Sequence, residues 1–499
     1  MKGVLSRATS RFYTLFTRGD NYDKMRFRNE LKGARKRWLI ITINGKYFDY
    51  ANKGVEMVKQ TITRRLFLKK AAGAVAIPLF LPSLSRAGEV SKKLAHGSIG
   101  VGGMGWNDLN SIYNSGKVEI AVLCDVDANN LKKAAEKFPQ ARQYRDWREM
   151  LEKEGDKIDS INVTVPDHMH APIAMTGLHK GKHVYCQKPL THEVYEARQL
   201  RSAAQQAGVV TQMGIQIHAH IAYRMAAQML GEGAIGKVKE WHSWVGAEGW
   251  PGVLERPAGA DPVPDYLNWD NWVGVAPFRP YKEKIYHPFR WRGWKDFGCG
   301  ALGDFLCHIF DPIFMGLGIK EVLSVQAEKQ KVYAETWPQS SILHYEFRGT
   351  KLTAGKTIKA TWYDGGKMPG REVAPMPADR NLPKNGSAII GEEGVMVLPH
   401  WAGPQLYPLE KFKGYPRPKL EVVDHYHQWV GACLGEGKAS ANFDYAVPLT
   451  EAALLGTIAI RLSGKKLEWD AKKMQFVNTP KANQYLRRKY RRGWEVERL

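Results

Sequence analysis

Cysteine is scarce in this chain: 499 residues hold five, Cys124, Cys186, Cys299, Cys307 and Cys433, with no CxxC pair among them. An odd, unpaired set excludes a disulfide framework and a zinc knuckle, and leaves buried free thiols as the plain expectation. Acidic residues are short as well, 50 against 73 basic, for a net charge of +23. More than half of that surplus sits in the first 70 residues, which carry 18 Lys and Arg against five Asp and Glu. The rest lacks any run of basic residues interleaved with aromatics that would track a phosphate backbone, so nucleic acid is not an expected partner. Repeats and low-complexity segments are absent too.

What is present begins with an address. Thr63-Arg64-Arg65-Leu66-Phe67-Leu68-Lys69 precedes an apolar, Ala/Gly-rich run over 71–81, then Pro82 and a small-residue site at Ser85-Arg86-Ala87. This charged, apolar, cleavable order resembles a twin-arginine export signal, which implies the twin-arginine machinery as a partner and a periplasmic or secreted location. The apolar run is about half of the roughly 20 residues a span requires, so no stable membrane span is expected. Met57 lies seven residues before Arg64, where an initiator belongs. Residues 1–56 are therefore read as an over-extended start and 57–87 as the signal peptide. Few cysteines also suit a chain that folds before export, in the reducing compartment.

From residue 94 the pattern alternates short apolar runs with helical stretches: 94–101 (LAHGSIGV), 118–124 (VEIAVLC), 158–165 (IDSINVTV), 183–186 and 209–213 as strands, with helices at 131–138, 147–154, 171–180 and 194–207. Such alternation specifies a doubly wound parallel sheet covered on both faces. After about Gly214 the texture changes. A helix over 220–230 precedes a strand over 236–245, then a Trp-, Pro-, Gly- and Arg-rich stretch over 248–300 that reads as long ordered loops. Strands at 322–327, 341–347, 359–363 and 388–397 predict an antiparallel sheet, followed by an amphipathic helix over 449–463. The domains expected are a Rossmann domain over 88–215, a substrate and oligomerisation domain over 216–480, and a basic aromatic tail over 481–499.

Four constellations carry chemistry. Gly100-Val101-Gly102-Gly103-Met104-Gly105 satisfies G-x-G-x-x-G between a strand and a helix, where a diphosphate approaches the backbone and meets the helix dipole. The next strand ends at Asp125, placed to bind both ribose hydroxyls of NAD; its charge would repel the 2′-phosphate of NADP. Thr164-Val165-Pro166-Asp167-His168-Met169-His170 falls at a strand's carboxyl end, and its HxH pair could also ligate a metal, although no metal is expected. Tyr185-Cys186-Gln187-Lys188-Pro189 aims a lysine into the same crevice from a strand end stiffened by proline. In the Gly298 to His308 stretch, Asp304 and His308 stand i, i+4 on one helix face, as suits a general base but equally a capping Asp with a core His. Trp250, Trp291, Arg292 and Trp294 precede them; Trp291 and Arg292 are the candidate substrate contacts of that group.

Together these residues resemble the Gfo/Idh/MocA family, the glucose–fructose oxidoreductase and inositol dehydrogenase relatives, in an exported, twin-arginine branch. The resemblance implies an α/β Rossmann domain followed by an α/β carboxyl-terminal domain with a large, mostly antiparallel open sheet, often an oligomer interface, and hence a homo-oligomer. It places the family's Glu-Lys-Pro on Gln187-Lys188-Pro189 and its Asp-x-x-x-His on Asp304 and His308. By that likeness Lys188, Asp304 and His308 are catalytic. Gly100, Gly102, Met104, Gly105, Asp125, Pro166, His170, Gln187, Lys188 and Gln216 bind or line the cofactor. Gln187 departs from the family's Glu and removes a negative charge beside Lys188. The expected function is an NAD-dependent oxidoreductase acting on a sugar, glycoside or polyol hydroxyl. Export implies a tightly held cofactor restored within each cycle. The alternatives are an NAD-dependent glycoside hydrolase working by transient oxidation and elimination, and a non-enzymatic NAD-bound sugar-binding protein.

Overall fold

The computed structural model describes residues 93–246 and 255–499, with three short strands nearer the amino terminus. The chain divides into two units, Met1–Val90 and Ser91–Leu499. In the first, Arg26–Phe27, Trp38–Ile43 and Lys46–Ala51 pair antiparallel, with Arg26 opposite Thr42 and Trp38 opposite Ala51. The signal expected over 57–87 and Trp250 lie outside the described residues.

The second unit opens with six strands: β1 (Leu94–Ile99), β2 (Val118–Cys124), β3 (Arg142–Tyr144), β4 (Ser160–Val163), β5 (His183–Gln187) and β6 (Thr211–Gly214). All pair in parallel, in the order β3-β2-β1-β4-β5-β6. Helices α1 (Met104–Tyr113), α2 (Ala128–Lys137), α3 (Trp147–Glu154), α4 (His170–His179) and α5 (Val194–Ala207) alternate with them. Covered strands must be apolar on both faces, and every residue of β4 is buried. The one imidazole on β1, His96, is buried with its ring nitrogens 2.9 Å from Ser160 Oγ and 2.9 Å from Asn162 Oδ1 of β4. Burial pushes it down to about 4, so it is a neutral register pin. The strand order reverses between β1 and β4, and the loops beyond them part to leave a crevice at the sheet's carboxyl edge.

The remaining elements are α6 (Ile221–Gly231), β7 (Val238–Val245), α7 (Trp269–Val273), α8 (Gly300–Leu317), β8 (Val322–Ala327), β9 (Ile342–Arg348), β10 (Thr357–Tyr363), β11 (Asn385–Gly391), β12 (Val395–Pro399), β13 (Gln405–Tyr407), α9 (His425–Cys433), α10 (Phe443–Arg461), β14 (Lys466–Asp470) and β15 (Gln475–Phe476). Their nine strands form one open sheet, β13-β12-β11-β7-β10-β9-β8-β14-β15, antiparallel except where β7 lies parallel to β10. Helices α6, α8 and α10 pack together against it. Both α8 and α10 are long and apolar enough to span a membrane, but 78% and 83% of those stretches are buried inside the fold, which makes them core helices.

Three expectations need correction. The strand expected over 388–397 is a hairpin, because Glu392-Glu393-Gly394 turns the chain between β11 and β12. The amphipathic helix expected over 449–463 starts at Phe443, carries Pro448 inside it and is buried on nearly every side. The aromatic stretch before α8 is not merely loop: α7 lies within it, and the stacked indoles of Trp269 and Trp272, 4.8 Å apart, seed a core of their own with Tyr286, Trp294 and Phe297.

One buried ion pair couples the parallel sheet's helices to α10. Arg198 on α5 forks onto Glu451, Nε to Oε2 at 2.7 Å and Nη2 to Oε1 at 2.8 Å, while Trp469 Nε1 donates to the same carboxylate at 2.9 Å. Removing one partner strands a buried charge. Arg198→Ala is expected to cost about 3 kcal/mol in chemical denaturation, and adding Glu451→Gln to recover much of that loss.

Candidate active site

Glycine geometry shapes the crevice floor. Gly100 has φ +79° and Gly103 +52°, and a Cβ on Gly100 would lie 2.1 Å from the carbonyl oxygen of Thr164. A Cβ on Gly105 would meet the carbonyl oxygen of Gly100 at the same 2.1 Å, so the third glycine lets α1 press against the loop. The amino terminus of α1 has no capping side chain and no acidic residue in its first turn, and a Cβ on Gly103 would meet open space. Free amides, a positive helix end and open space are what a diphosphate needs. Asp125 closes β2 with Oδ2 accepting from the Val101 amide at 2.8 Å and Oδ1 from the Asp127 amide at 2.9 Å. Each oxygen keeps a lone pair for a further donor. Burial raises its pKa. Gln216 stands at the turn after β6 and keeps a buried Oε1 without a partner among the described residues, an acceptor left for a ligand. The loop, the carboxylate and this amide fit a dinucleotide.

The loop after β4 divides its roles. Pro166 caps a short turn, Asp167–Met169. His168 lies against carbonyls of the aromatic segment, with Nδ1 3.2 Å from that of Phe297 and Nε2 3.1–3.2 Å from those of Trp272 and Val273, and its one N–H donates to one side. His170 lies 2.8 Å from the carbonyls of Pro189 and Val165. At 1% exposed it is a staple behind the crevice wall rather than a lining residue.

Lys188 leaves the end of β5 beside a cis peptide to Pro189. Its Nζ donates to the Asp304 carbonyl at 2.8 Å and also contacts the Asp304 carboxylate. Arg292 Nε approaches the other Asp304 oxygen at 3.6 Å. Burial opposes ionisation of Asp304, but the Lys188 and Arg292 charges outweigh it and hold the carboxyl at about 2. One turn along α8, His308 is 8% exposed, with Nδ1 buried and without a partner among the described residues. Burial, then the charge of Lys188, pushes its pKa well down, so the resting imidazole is neutral. Of the candidate substrate contacts, Trp291 is 7% exposed and carries the Arg292 guanidinium 4.3 Å over its ring. That covers its stacking face and leaves Arg292 as the member of the pair that reaches the cluster. Trp294 is wholly buried in the aromatic core.

Sequence reading missed three groups. Asp167 is buried against this cluster, accepts from the Cys299 amide at 2.9 Å, and is pushed by burial up to about 7. His400, in the turn after β12, lies with its ring 5.9 Å from that of His308, and its Nδ1 is 2.8 Å from the Tyr223 hydroxyl. Asp108 on α1 accepts from Gln187 Nε2 at 2.8 Å, Thr164 Oγ1 at 2.7 Å and the Tyr426 hydroxyl at 2.9 Å. This explains the amide at 187: a Glu there would set two buried carboxylates in contact.

Two family models match. Residues 95–215 match GFO_IDH_MocA, an oxidoreductase family with an NAD-binding Rossmann fold, and residues 234–356 match its C-terminal alpha/beta domain. Through these matches the chain belongs to the Gfo/Idh/MocA oxidoreductase family. Levoglucosan dehydrogenase of Pseudarthrobacter phenanthrenivorans is 25% identical over 38% of this chain and 40% of its own length. D-apiose dehydrogenase of Paraburkholderia graminis is 29% identical over 29% of the chain and 38% of its length. The matched stretch thus spans about two-fifths of these relatives. Among solved structures, the WlbA dehydrogenase of Bordetella pertussis with NADH and UDP-GlcNAcA superposes with a TM-score of 0.53 at 17% identity, covering 76% of this chain and 99% of that one. Levoglucosan dehydrogenase with NADH gives 0.53 at 17% identity, covering 75% and 99%. At such identities the likeness is one of fold.

Burial pushes Asp108 up to about 6 against its three donors, so ionising it already opposes folding as pH rises. Gln187→Glu is expected to add a second acid there. Near pH 5 one shared proton bridges the pair and stability stays close to that of the parent. Above about pH 6 the folded state must release a proton that an unfolded carboxyl loses near 4, and stability should fall by a few kcal/mol. Denaturation of Gln187→Glu at the two pH values checks this, and Asp108→Asn in the same chain should remove the difference.

Proposed function

We propose that the protein is an NAD-dependent oxidoreductase that acts on a CH–OH group of a sugar, glycoside or polyol. The observation that carries this reading is the meeting of Lys188, Asp304 and a neutral, buried His308 at the carboxyl edge of the parallel sheet, beside the glycine loop. Gly100, Gly102, the amide of Met104, Asp125 and Gln216 would hold the dinucleotide, with Gly105 letting the helix close on the loop. Bound NAD supplies the hydride acceptor.

The chain's own groups do the rest. Lys188 donates a hydrogen bond to the reacting hydroxyl oxygen and stabilises negative charge as it develops there. His308 takes the hydroxyl proton on a ring nitrogen. Asp304 holds the Lys188 ammonium in place, and Arg292 offers its fork to neighbouring hydroxyls. Relatives named as dehydrogenases of levoglucosan, inositol and apiose support a carbohydrate substrate.

Export by the twin-arginine route is part of the proposal, supported by Arg64-Arg65 and the apolar run behind them. With it goes a cofactor loaded before export and regenerated within each cycle, the hydride returning to the same or a second sugar. Assembly as a homo-oligomer through the open nine-stranded sheet completes the reading.

Denaturing the purified protein should release NAD; recovery of NADP instead would refute the role given to Asp125. In single-turnover assays over a sugar panel, Lys188→Ala and His308→Ala are expected to lose at least ~100-fold in hydride transfer while the nucleotide stays bound. Free NADH released in step with product would overturn the closed cycle. Aglycone release from aryl glycosides that requires the bound nucleotide would assign hydrolysis instead.

A further inference from the structure

Trp401 occupies a conformation its side chain disfavours. Its φ is +66°, in the left-handed region where a bulky residue is an outlier. The turn is tied on both sides: the His400 amide donates to the Asn385 carbonyl at 3.0 Å and the Ala402 amide to the Pro399 carbonyl at 3.2 Å. The indole does not repay this by packing, for it is 50% exposed and belongs to none of the hydrophobic clusters of the described residues. Its ring contacts are two imidazoles, His220 at 5.3 Å and His400 at 5.6 Å. His400 in turn is the ring against His308 and is fixed by the Tyr223 hydroxyl. A strained turn therefore presents an open aromatic face one imidazole away from the proposed base. Strain held at such a place points to a function for the side chain.

Resting on the reading of the site as a carbohydrate oxidoreductase, we infer that Trp401 is the platform on which the substrate's ring stacks, and that the substrate is a ring-closed sugar or glycoside rather than an open-chain polyol. A pyranose presents a flat face of C–H bonds, which an indole face covers well, while its edge carries the hydroxyls that imidazoles, Lys188 and Arg292 can address. An acyclic polyol has no such face, and ordering its chain costs rotational freedom that a ring has already lost. Trp401 thus acts on affinity and ring choice and touches no reacting atom.

The test uses the purified protein with its bound nucleotide, and reads binding by calorimetry separately from hydride transfer. The probes are methyl pyranosides and acyclic hexitols. Pyranosides should bind at least about tenfold tighter than hexitols; Trp401→Ala should raise the pyranoside Kd and KM about tenfold and change kcat less than about twofold, and Trp401→Tyr should restore most of the affinity. Trp401→Gly serves as the folding control: glycine suits φ +66°, so this variant should melt no lower than the parent while losing the same affinity. Hexitols binding as tightly as pyranosides, or unchanged pyranoside affinity in Trp401→Ala and Trp401→Gly, would overturn the inference. So would a change of oligomeric state as the only effect, which would make Trp401 an interface residue. Pyranoside binding that depends on Trp401 without any hydride transfer would sink the functional reading alone. Oxidation indifferent to Trp401 would sink the inference alone, and failure of every sugar to bind would sink both.

Discussion

Lys188 and Asp304 meet where the parallel sheet ends and α8 begins, with their side chains only 14% and 16% exposed. Taking a charge out of water costs several kcal/mol, so neither group can stay there without the other. Lys188 engages both the carboxylate and the main-chain carbonyl of Asp304, which fixes the first turn of α8 against the end of β5. His308 stands one turn further along, so its position follows from that pair. Arg292 and Asp167 enlarge the cluster. With Asp304 held ionised and burial pushing Asp167 up to about 7, the two carboxyl groups do not outnumber the two cations. A site with no net negative charge keeps the neighbouring imidazole neutral and favours a negative oxygen, which are the two conditions for drawing a proton from a hydroxyl.

A second buried carboxylate organises the cofactor side. Asp108 joins α1, the end of β4 through Thr164, the end of β5 through Gln187, and α9 through Tyr426. The helix that follows the glycine loop is thereby locked to the strand that delivers Lys188. Where the resemblance leads one to expect a carboxylate at 187, the structure has an amide with a carboxylate in contact, carried by a helix instead of the strand.

Local patterns made much of this legible. The alternation of strand and helix over 94–214, the glycine loop and the Asp304–His308 spacing are all set by neighbours within a few residues, and the structure brings Lys188, Asp304 and His308 together as those patterns implied. What escaped reading depends on distance along the chain. Asp108 resembles any acid on a helix until Tyr426, 318 residues away, closes over it. His400 lies in a turn between edge strands of the second sheet, with no motif around it. The run over 388–397 reads as one strand because its apolar flanks mask a tight turn whose only mark is Glu-Glu-Gly. His170 and Trp291 carry the right chemistry for a site, but burial and neighbouring carbonyl or guanidinium groups occupy them.

The aromatic segment before α8 bears on how firmly a nucleotide is kept. It crosses the loop after β2, where the Ala128 amide donates to the Tyr266 carbonyl at 2.8 Å and the Asn268 amide to the Val126 carbonyl at 2.9 Å. His287 reaches Asp127 at 3.1 Å, and Arg145 donates to the Tyr266 carbonyl at 2.8 Å. At its other margin the segment is tied by His168 to the loop after β4, and Arg491 of the tail donates to the Gly274 carbonyl at 2.9 Å. Both loops that border the crevice are thus bonded to one strap, and the strap has an aromatic core of its own. A ribose held at Asp125 would lie beside the strap's bonds to residues 126–128, and opening that margin would break several hydrogen bonds and expose stacked indoles together.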